Sequence, residues 1–469
     1  MSTIKFGTDG WRAIIAKEYT VDNVARVSIG TAKWLKANFE SPSVVIGYDC
    51  RFGGKMFAET AAKVFVNNGI KVYFGEGVSS TPMVSLGVVK QHASIGVVIT
   101  ASHNPADYNG YKLKGSYGGP LLPVHVSEVE SMIPEDNELL VDQISLEKKA
   151  DEGLFEMINM ENMYIDLVKE NFDLEAIANS NMEFAYDAMY GAGQSVMRKL
   201  LPEITFLHCD MNPSFDGTAP EPIHRNLKEF SEMIELSENI DCGLATDGDA
   251  DRIGLYNSKG EFVDSHHIIL LLINYLVNHK KMTGKVVTAF SCTNKIKQLC
   301  EKFGLEEETV KIGFKHVCGI MLEEDCLLGG EESGGIAIKG HIPERDGIWM
   351  GLTIWEFMAK TGKSLEQLID EVYELVGEFK FERIDLHVSD EQKHSIMDGC
   401  KSNKFEVFGD YKVERVEDTD GYKFFFNNDA QWMMIRPSGT EPVLRTYCEA
   451  ETTDKAFEIL KQVHKEILK

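Results

Sequence analysis

Apolar residues in the first third of the chain alternate between two periods. Val24, Val27, Thr31, Trp34 and Leu35 recur at helical spacing, and Val44-Val45-Ile46 then makes a short buried run ending at Gly47-Tyr48-Asp49. The pattern continues with a helix near residues 56–67, a strand at 70–74, a helix at 83–91 and a strand at 95–99. Strands alternating with helices of this length predict βαβ units and a mainly parallel sheet. The same rhythm returns twice. One round predicts strands at 184–187, near Phe206 and at 242–245, with helices at 195–201 and 230–236 between them. The next predicts strands at 253–256, 286–290 and near Val310, with an apolar helix at 266–278 and another at 294–303. After about Gly377 the pattern changes to alternating strand segments (379–388, 422–426, 432–435, 444–448) with helices near 391–399 and 454–468.

This organisation predicts three consecutive α/β domains with parallel or mixed sheets, followed by a smaller α+β domain, all around a central cleft. The expected boundaries are 1–150, 151–256, 257–376 and 377–469, with the charged stretch Glu147-Lys-Lys-Ala-Asp-Glu152 at the first junction. No literal repeat is visible, so the recurrence is architectural. A length of 469 residues suits several cores.

Charge narrows the partners. A formal net charge of −26 disfavours nucleic acid and anionic membranes, which would repel the chain. It leaves room for an anionic small molecule in a local basic pocket. The nine scattered cysteines form no Cys-x-x-Cys pair, which predicts reduced thiols and a cytoplasmic protein. The amino terminus has no apolar core of the kind a secretory signal needs, and the apolar run from Ile268 is too short to span a bilayer.

Four segments carry candidate chemistry. Thr100-Ala101-Ser102-His103-Asn104-Pro105 follows the strand at 95–99, where open α/β sheets place their ligands, and offers a hydroxyl that could carry a phosphoryl group. Asp247-Gly-Asp249-Ala-Asp251-Arg252 follows the strand at 242–245. In an extended segment its three carboxylates would share one face and could hold Mg²⁺. Arg252 stands where a calcium-binding EF-hand loop needs glycine, and Ser258 where it needs a bidentate glutamate. An Asp-x-Asp after an apolar strand also suits a haloacid-dehalogenase-type phosphatase with Asp247 as nucleophile, although Asp251 replaces the usual Thr or Val. Arg436-Pro-Ser438-Gly439-Thr440, with Arg445 nearby, offers a guanidinium fork, two hydroxyls and exposed backbone N–H groups to a phosphate. The turn Gly330-Glu331-Glu332-Ser333-Gly334-Gly335 could present Glu331 and Ser333 to sugar hydroxyls. No Gly-x-Ser-x-Gly elbow is present, which disfavours a hydrolase-type serine.

In order and spacing, these segments resemble the α-D-phosphohexomutases, the superfamily of phosphoglucomutase, phosphomannomutase and phosphoglucosamine mutase. The resemblance runs from Gly7-Thr-Asp-Gly-Trp-Arg12 to Arg436-Pro-Ser-Gly-Thr-Glu441. It implies that Ser102 is phosphorylated and that Asp247, Asp249 and Asp251 bind Mg²⁺ together with a phosphoserine oxygen. Arg252 and Arg12 would face the transferring group, Glu331 and Ser333 the sugar, and Arg436, Ser438, Gly439, Thr440 and Arg445 the other phosphate. The implied reaction interconverts hexose 1-phosphate and hexose 6-phosphate through a hexose 1,6-bisphosphate, which also serves as activator. Lys112, Lys315 and His103 are the candidate general bases. Gly335 stands where the phosphomannomutase/phosphoglucomutase and phosphoglucosamine types often carry histidine, and Ala13 replaces the glycine usual after the Arg12 position. The leading expectation is a phosphoglucomutase acting on glucose phosphates, with mannose phosphates also accepted. The alternatives are a phosphomannomutase, a phosphoglucosamine mutase, an Asp-nucleophile sugar phosphatase, or a non-catalytic sugar-phosphate sensor. A monomer and a homo-oligomer are both compatible with the sequence.

Overall fold

The computed structural model describes residues 4–7, 9–237, 239–427, 429–437 and 443–469. It contains four principal sheets. The first runs Trp11–Ile14, Tyr108–Gly115, Ile95–Ile99, Ser43–Tyr48, Lys71–Gly75, Phe155–Ile158 in spatial order. Its inner strands are parallel, whereas Tyr108–Gly115 lies antiparallel to both of its neighbours. The second sheet orders Phe262–Val263, Ile253–Asn257, Ile240–Thr246, Glu183–Asp187 and Thr205–Leu207. The third orders Glu307–Val310, Lys285–Ala289, Cys326–Gly330 and Ile336–Ile338. The fourth is antiparallel throughout: Lys380–His387, Val443–Ala450, Gln431–Pro437, Tyr422–Phe426 and Arg415–Glu417. Three mixed α/β sheets followed by a smaller α+β unit is the predicted fold class.

Two expected junctions move. Phe155–Ile158 pairs with Lys71–Gly75, so the first sheet continues past residue 150. Phe262–Val263 folds back on Ile253–Asn257, so the second sheet continues past 256. In both places a short strand closes a sheet edge after the apolar pattern has already weakened. The strands Trp11–Ile14 and Tyr108–Gly115 and the helices Phe314–Glu323, Gly347–Thr361 and Leu365–Val376 were not among the expected elements.

The cores explain how these units sit together. One apolar cluster joins Val45 and Met83 of the first unit, Tyr186 and Leu244 of the second, and Ile269, Leu328 and Trp355 of the third. The fourth unit has its own core around Phe408, Phe424, Met433, Leu444 and Leu460. It meets the third through a small cluster of Phe290, Phe425, Trp432, Met434 and Tyr447. The strands Ile95–Ile99, Ile240–Thr246 and Cys326–Gly330 each deliver a loop from their carboxyl ends, the usual ligand edge of an α/β sheet. Among the described residues, no helix is long and apolar enough to cross a membrane.

Candidate active site

Ser102 lies three residues beyond the strand Ile95–Ile99, fully buried, with φ 53° in the left-handed region. Its Oγ donates a hydrogen bond to Asp247 Oδ2 at 2.7 Å. The serine and the acidic segment, 145 residues apart in sequence, therefore meet. His103 Nδ1 lies 3.3 Å from the same Oγ. Burial and then the cations Arg252, Arg12, Lys112 and Arg51 hold the His103 imidazole well below its usual pKa, so it is neutral at neutral pH.

The three carboxylates converge, but not by the strand alternation expected from their spacing. The strand stops at Thr246, and the chain then makes a turn in which Ala250 N–H donates to Asp247 O at 3.0 Å and Ala250 has φ 55°. The turn, rather than a pleat, gathers Asp247, Asp249 and Asp251, whose ligand oxygens lie within 4.8 Å of one another. A one-face pattern in sequence can come from either geometry, so the spacing located the site and misassigned its backbone.

Asp249 and Asp251 each use one oxygen inside the protein and leave the other free for a ligand, whereas Asp247 turns its second oxygen to Ser102. Asp247 Oδ1 accepts the backbone N–H groups of Asp251 and Arg252 at 2.9 and 3.1 Å, leaving Oδ2 facing Ser102. Asp249 Oδ2 accepts Thr81 Oγ1 and Lys112 Nζ, while its Oδ1 is buried without a partner. Asp251 Oδ2 meets Lys112 Nζ at 3.0 Å and Arg345 at 2.7 Å, and its Oδ1 is also buried without a partner. Buried oxygens without donors are costly unless a cation satisfies them. Burial, followed by the charges of Asp249 and Asp251, holds the Asp247 carboxyl well above its ordinary pKa, the penalty expected of clustered acids. This donor set fits a hard divalent cation that takes oxygen ligands.

Around the triad stands a ring of cations. Lys112, on the strand Tyr108–Gly115, is fully buried and lies 2.9 Å from Asp9, 2.7 Å from Asp249 and 3.0 Å from Asp251. Burial opposes its charge, yet these three carboxylates raise its pKa, the reverse of what a general base requires. The antiparallel strand Tyr108–Gly115 aims Lys112 at acids. Arg12, on Trp11–Ile14, donates to Asn104 Oδ1 at 2.8 Å and so braces the serine loop. Arg252 is largely buried and lies 3.8 Å from Glu221. Lys315 is the second residue of the helix Phe314–Glu323 and lines a cavity with Asp9, Gly10 and Glu130. Asp9 and Arg345 were not singled out from sequence, although Arg345 bonds both Asp9 and Asp251. Asp9 carried only the local signal of a charge beside Gly10, and Arg345 sat between two acids, Glu344 and Asp346.

Glu331 and Ser333 form the turn after Cys326–Gly330. Glu331 Oε1 accepts Gly313 N–H at 2.9 Å, and burial pushes its carboxyl up to about 7 despite Arg345. Ser333 is half-buried in the same turn. Gly335 has no room for a side chain: a Cβ there would lie 2.4 Å from Arg345 Cδ. Arg345 thus fills the space beside Gly335. Glu332 accepts Ser291 Oγ on the neighbouring loop.

In the fourth unit Arg436 and Arg445 stand directly opposite each other on antiparallel strands. Asp420 lies 3.3 Å from Arg436, whereas Arg445 Nε is buried without an acceptor among the described residues. Like charges facing across a sheet are destabilising unless an anion joins them. Burial and then the nearby Glu332 push the Tyr447 hydroxyl up to about 12, and Arg383, Arg445 and Arg436 oppose this. Ser438, Gly439 and Thr440 lie outside the described residues.

Family models match consecutive stretches of the chain. They are phosphoglucomutase/phosphomannomutase alpha/beta/alpha domain I over residues 3–139, domain II over 162–260, domain III over 264–376, and the C-terminal domain over 385–466. A phosphoglucomutase/phosphomannomutase of Thermococcus kodakarensis is 30% identical over 461 residues, 97% of this chain and 96% of that protein. The chain belongs to the phosphoglucomutase/phosphomannomutase family. Other members are similarly close: a phosphoglucosamine/phosphogalactosamine mutase of Sulfurisphaera tokodaii is 28% identical across 98% of both chains. The solved structure of a candidate phosphomannomutase from Thermus thermophilus superposes with a TM-score of 0.87 at 29% identity, covering the whole of both chains. As a member of this family the protein is a phosphohexomutase, an enzyme of the isomerase class, and its acidic triad can bind a metal ion.

Proposed function

We propose that this phosphohexomutase is a phosphoglucomutase that also accepts mannose phosphates and works through phosphorylated Ser102. The observation that carries the reading is the 2.7 Å contact between Ser102 Oγ and Asp247, inside a triad with two unsatisfied carboxylate oxygens. Bound by Asp247, Asp249 and Asp251, Mg²⁺ would supply charge neutralisation to the phosphoryl group on Ser102.

The chain's own residues account for the rest. The substrate hydroxyl oxygen forms a bond to phosphorus as the Ser102 Oγ–phosphorus bond breaks, giving a hexose 1,6-bisphosphate. The other phosphate of that intermediate then returns to Ser102, and added bisphosphate primes an unphosphorylated enzyme. Arg12 and Arg252 offset the charge of the moving group. Lys112, clamped by three carboxylates, keeps Asp249 and Asp251 aimed, which leaves His103 and Lys315 as acceptors for the hydroxyl proton. Glu331 and Ser333 take the sugar hydroxyls, and Arg436 and Arg445, with Ser438, Gly439 and Thr440, hold the phosphate not being transferred. Either end of the sugar must fit that loop, so a forgiving set of donors suits it better than a tight cage. The preference for glucose over glucosamine rests on Gly335, whose space Arg345 occupies. The nine cysteines, all unpaired and buried, suit a reducing compartment, and we assign the enzyme to the cytoplasm.

A coupled assay with glucose 1-phosphate, mannose 1-phosphate and glucosamine 1-phosphate, primed with a trace of bisphosphate, tests the reading. Glucose 1-phosphate is expected to turn over fastest. Faster turnover of glucosamine 1-phosphate would reassign the substrate. Ser102→Ala is expected to abolish mutase turnover while leaving substrate affinity broadly similar. Retained turnover, or release of inorganic phosphate as the main product, would point to the Asp-nucleophile phosphatase instead.

A further inference from the structure

Arg51 follows the strand Ser43–Tyr48, and its side chain is fully buried. Its terminal nitrogens are spent entirely on the serine loop. Its NH2 group donates to Ser102 O at 2.6 Å and Asn104 O at 2.5 Å. Its NH1 group donates to Pro105 O at 2.7 Å and Tyr108 O at 3.1 Å. Its Nε lies 3.3 Å from Asp49 Oδ2. Every terminal N–H is thereby occupied by a carbonyl of residues 102–108, so none is left for a phosphate or a sugar. This separates Arg51 from Arg12 and Arg252, which also stand near Ser102.

Asp49 closes the same clamp from the other side. Its Oδ1 accepts Arg51 N–H at 3.0 Å, and its Oδ2 accepts the Thr100 hydroxyl. Thr100 Oγ1 in turn accepts the Ser102 N–H at 2.8 Å. The peptide groups on both sides of Ser102 are thus held, one through Thr100 and one through Arg51. A non-glycine residue in the left-handed region is strained and persists only where its surroundings over-determine it. Ser102 is such a residue, and its position is tight: a Cβ on Gly248 of the acidic turn would lie 2.5 Å from Ser102 O. Phe215 of the second unit covers the Arg51 guanidinium at 4.9 Å. If the Ser102 carbonyl swings, Oγ leaves the triad.

We propose that Arg51 is a positioning residue that holds Ser102 in its strained conformation against the acidic triad, acting through four loop carbonyls and not through the phosphate. The proposal rests on the reading of Ser102 as the phosphoryl carrier. A guanidinium is required because its planar fork reaches four acceptors at once; an ammonium keeps the charge opposite Asp49 but cannot span them.

The test is Arg51→Lys in the full-length enzyme. The expected result is a kcat lower by about 100-fold, the effect of misplacing a reacting group by about 1 Å. KM is expected to stay within about threefold, because no substrate contact is removed. Mn²⁺ affinity, measured by titration without substrate, should also hold, and amide hydrogen exchange over residues 100–108 should accelerate. Thr100→Val, which breaks the other arm of the clamp, should lower kcat in the same way, and Thr100→Ser, which keeps the hydroxyl, should restore it. A folded Arg51→Lys with near-normal kcat overturns the proposal. So does a fall in kcat, Mn²⁺ affinity and melting temperature together, which would make Arg51 merely structural. If Arg51→Lys fails to fold, the Thr100 pair decides: equal activity of Val and Ser variants overturns the clamp. Mass spectrometry of wild-type enzyme after bisphosphate treatment separates the two readings, because absence of phosphate on Ser102 removes both, whereas a wild-type-like Arg51→Lys removes only this one.

Discussion

At the scale of single residues, the site works by dividing the oxygens of each carboxylate. One is tied down by Lys112, Thr81, Arg345 or backbone N–H, and the other is presented. Glu331 follows a different rule. Burial favours its neutral form and pushes its pKa to about 7, so a carboxylate able to accept two sugar hydroxyls exists fully only above that pH. KM for glucose 1-phosphate is expected to rise as pH falls through about 7. Glu331→Gln should raise KM by about tenfold and flatten that dependence, since a charged hydrogen bond is replaced by a neutral one. An unchanged pH profile of KM in the variant would refute the assignment. The sign for stability is the opposite of the usual acid. Between the ordinary carboxyl pKa and about 7 the folded chain holds a proton that the unfolded chain has released, so this group's contribution falls as pH rises across that window.

At the scale of elements, loops that carry chemistry are fixed by neighbours that carry none. The helix Gly347–Thr361 starts against the acidic turn, where Gly347 N–H donates to Ala250 O at 3.0 Å. A Cβ on Gly347 would lie 2.2 Å from Arg252 O. Gly347→Ala should therefore displace the turn and weaken Mn²⁺ binding by about tenfold. Overpacking of this kind costs about 1–3 kcal/mol of stability. Isothermal titration and a melting curve would measure both; full metal affinity would show that the turn does not depend on this helix. The strand carrying the turn was readable from its apolar run, and so was the helix Ser265–Asn278. The helix at Gly347 was not: two glycines and a tryptophan in its first turns weaken its sequence signal, and it is buried along most of its length. Tyr108–Gly115 was missed for a related reason. Lys112 and Lys114 interrupt its apolar pattern, yet both are fully buried because acids from other units receive them.

At the scale of the whole molecule, buried ion pairs join the first unit to the third. Lys114 Nζ lies 2.7 Å from Glu344 Oε2, with both side chains fully buried, and Ser85 Oγ donates to the same carboxylate. Removing one partner of a buried pair leaves an uncompensated charge and costs about 3–5 kcal/mol, whereas replacing both can be nearly neutral. Lys114→Met should lower the urea midpoint of the first unfolding transition markedly, and Lys114→Met with Glu344→Leu should recover most of the loss. Equal destabilisation by the single and double variants would mean that the pair does not hold the units together. The fourth unit depends less on such pairs. It rests on the third through an apolar patch centred on Trp432, over which Lys423 Nζ lies 3.9 Å away while donating to Cys292 O.

By itself the sequence determined the alternation of elements, the four-unit order, and where the serine and the clustered acids stand along the chain, because period-two and period-3.6 burial and clustered carboxylates are local properties of a chain. Only the tertiary structure decided which oxygen of each acid stays free, that Lys112 lies against three carboxylates, and that Asp9, Arg51 and Arg345 stand at the site. Those outcomes depend on pairings between residues far apart along the chain. The charge state and orientation of a buried side chain follow from its neighbours in space, which no local pattern records.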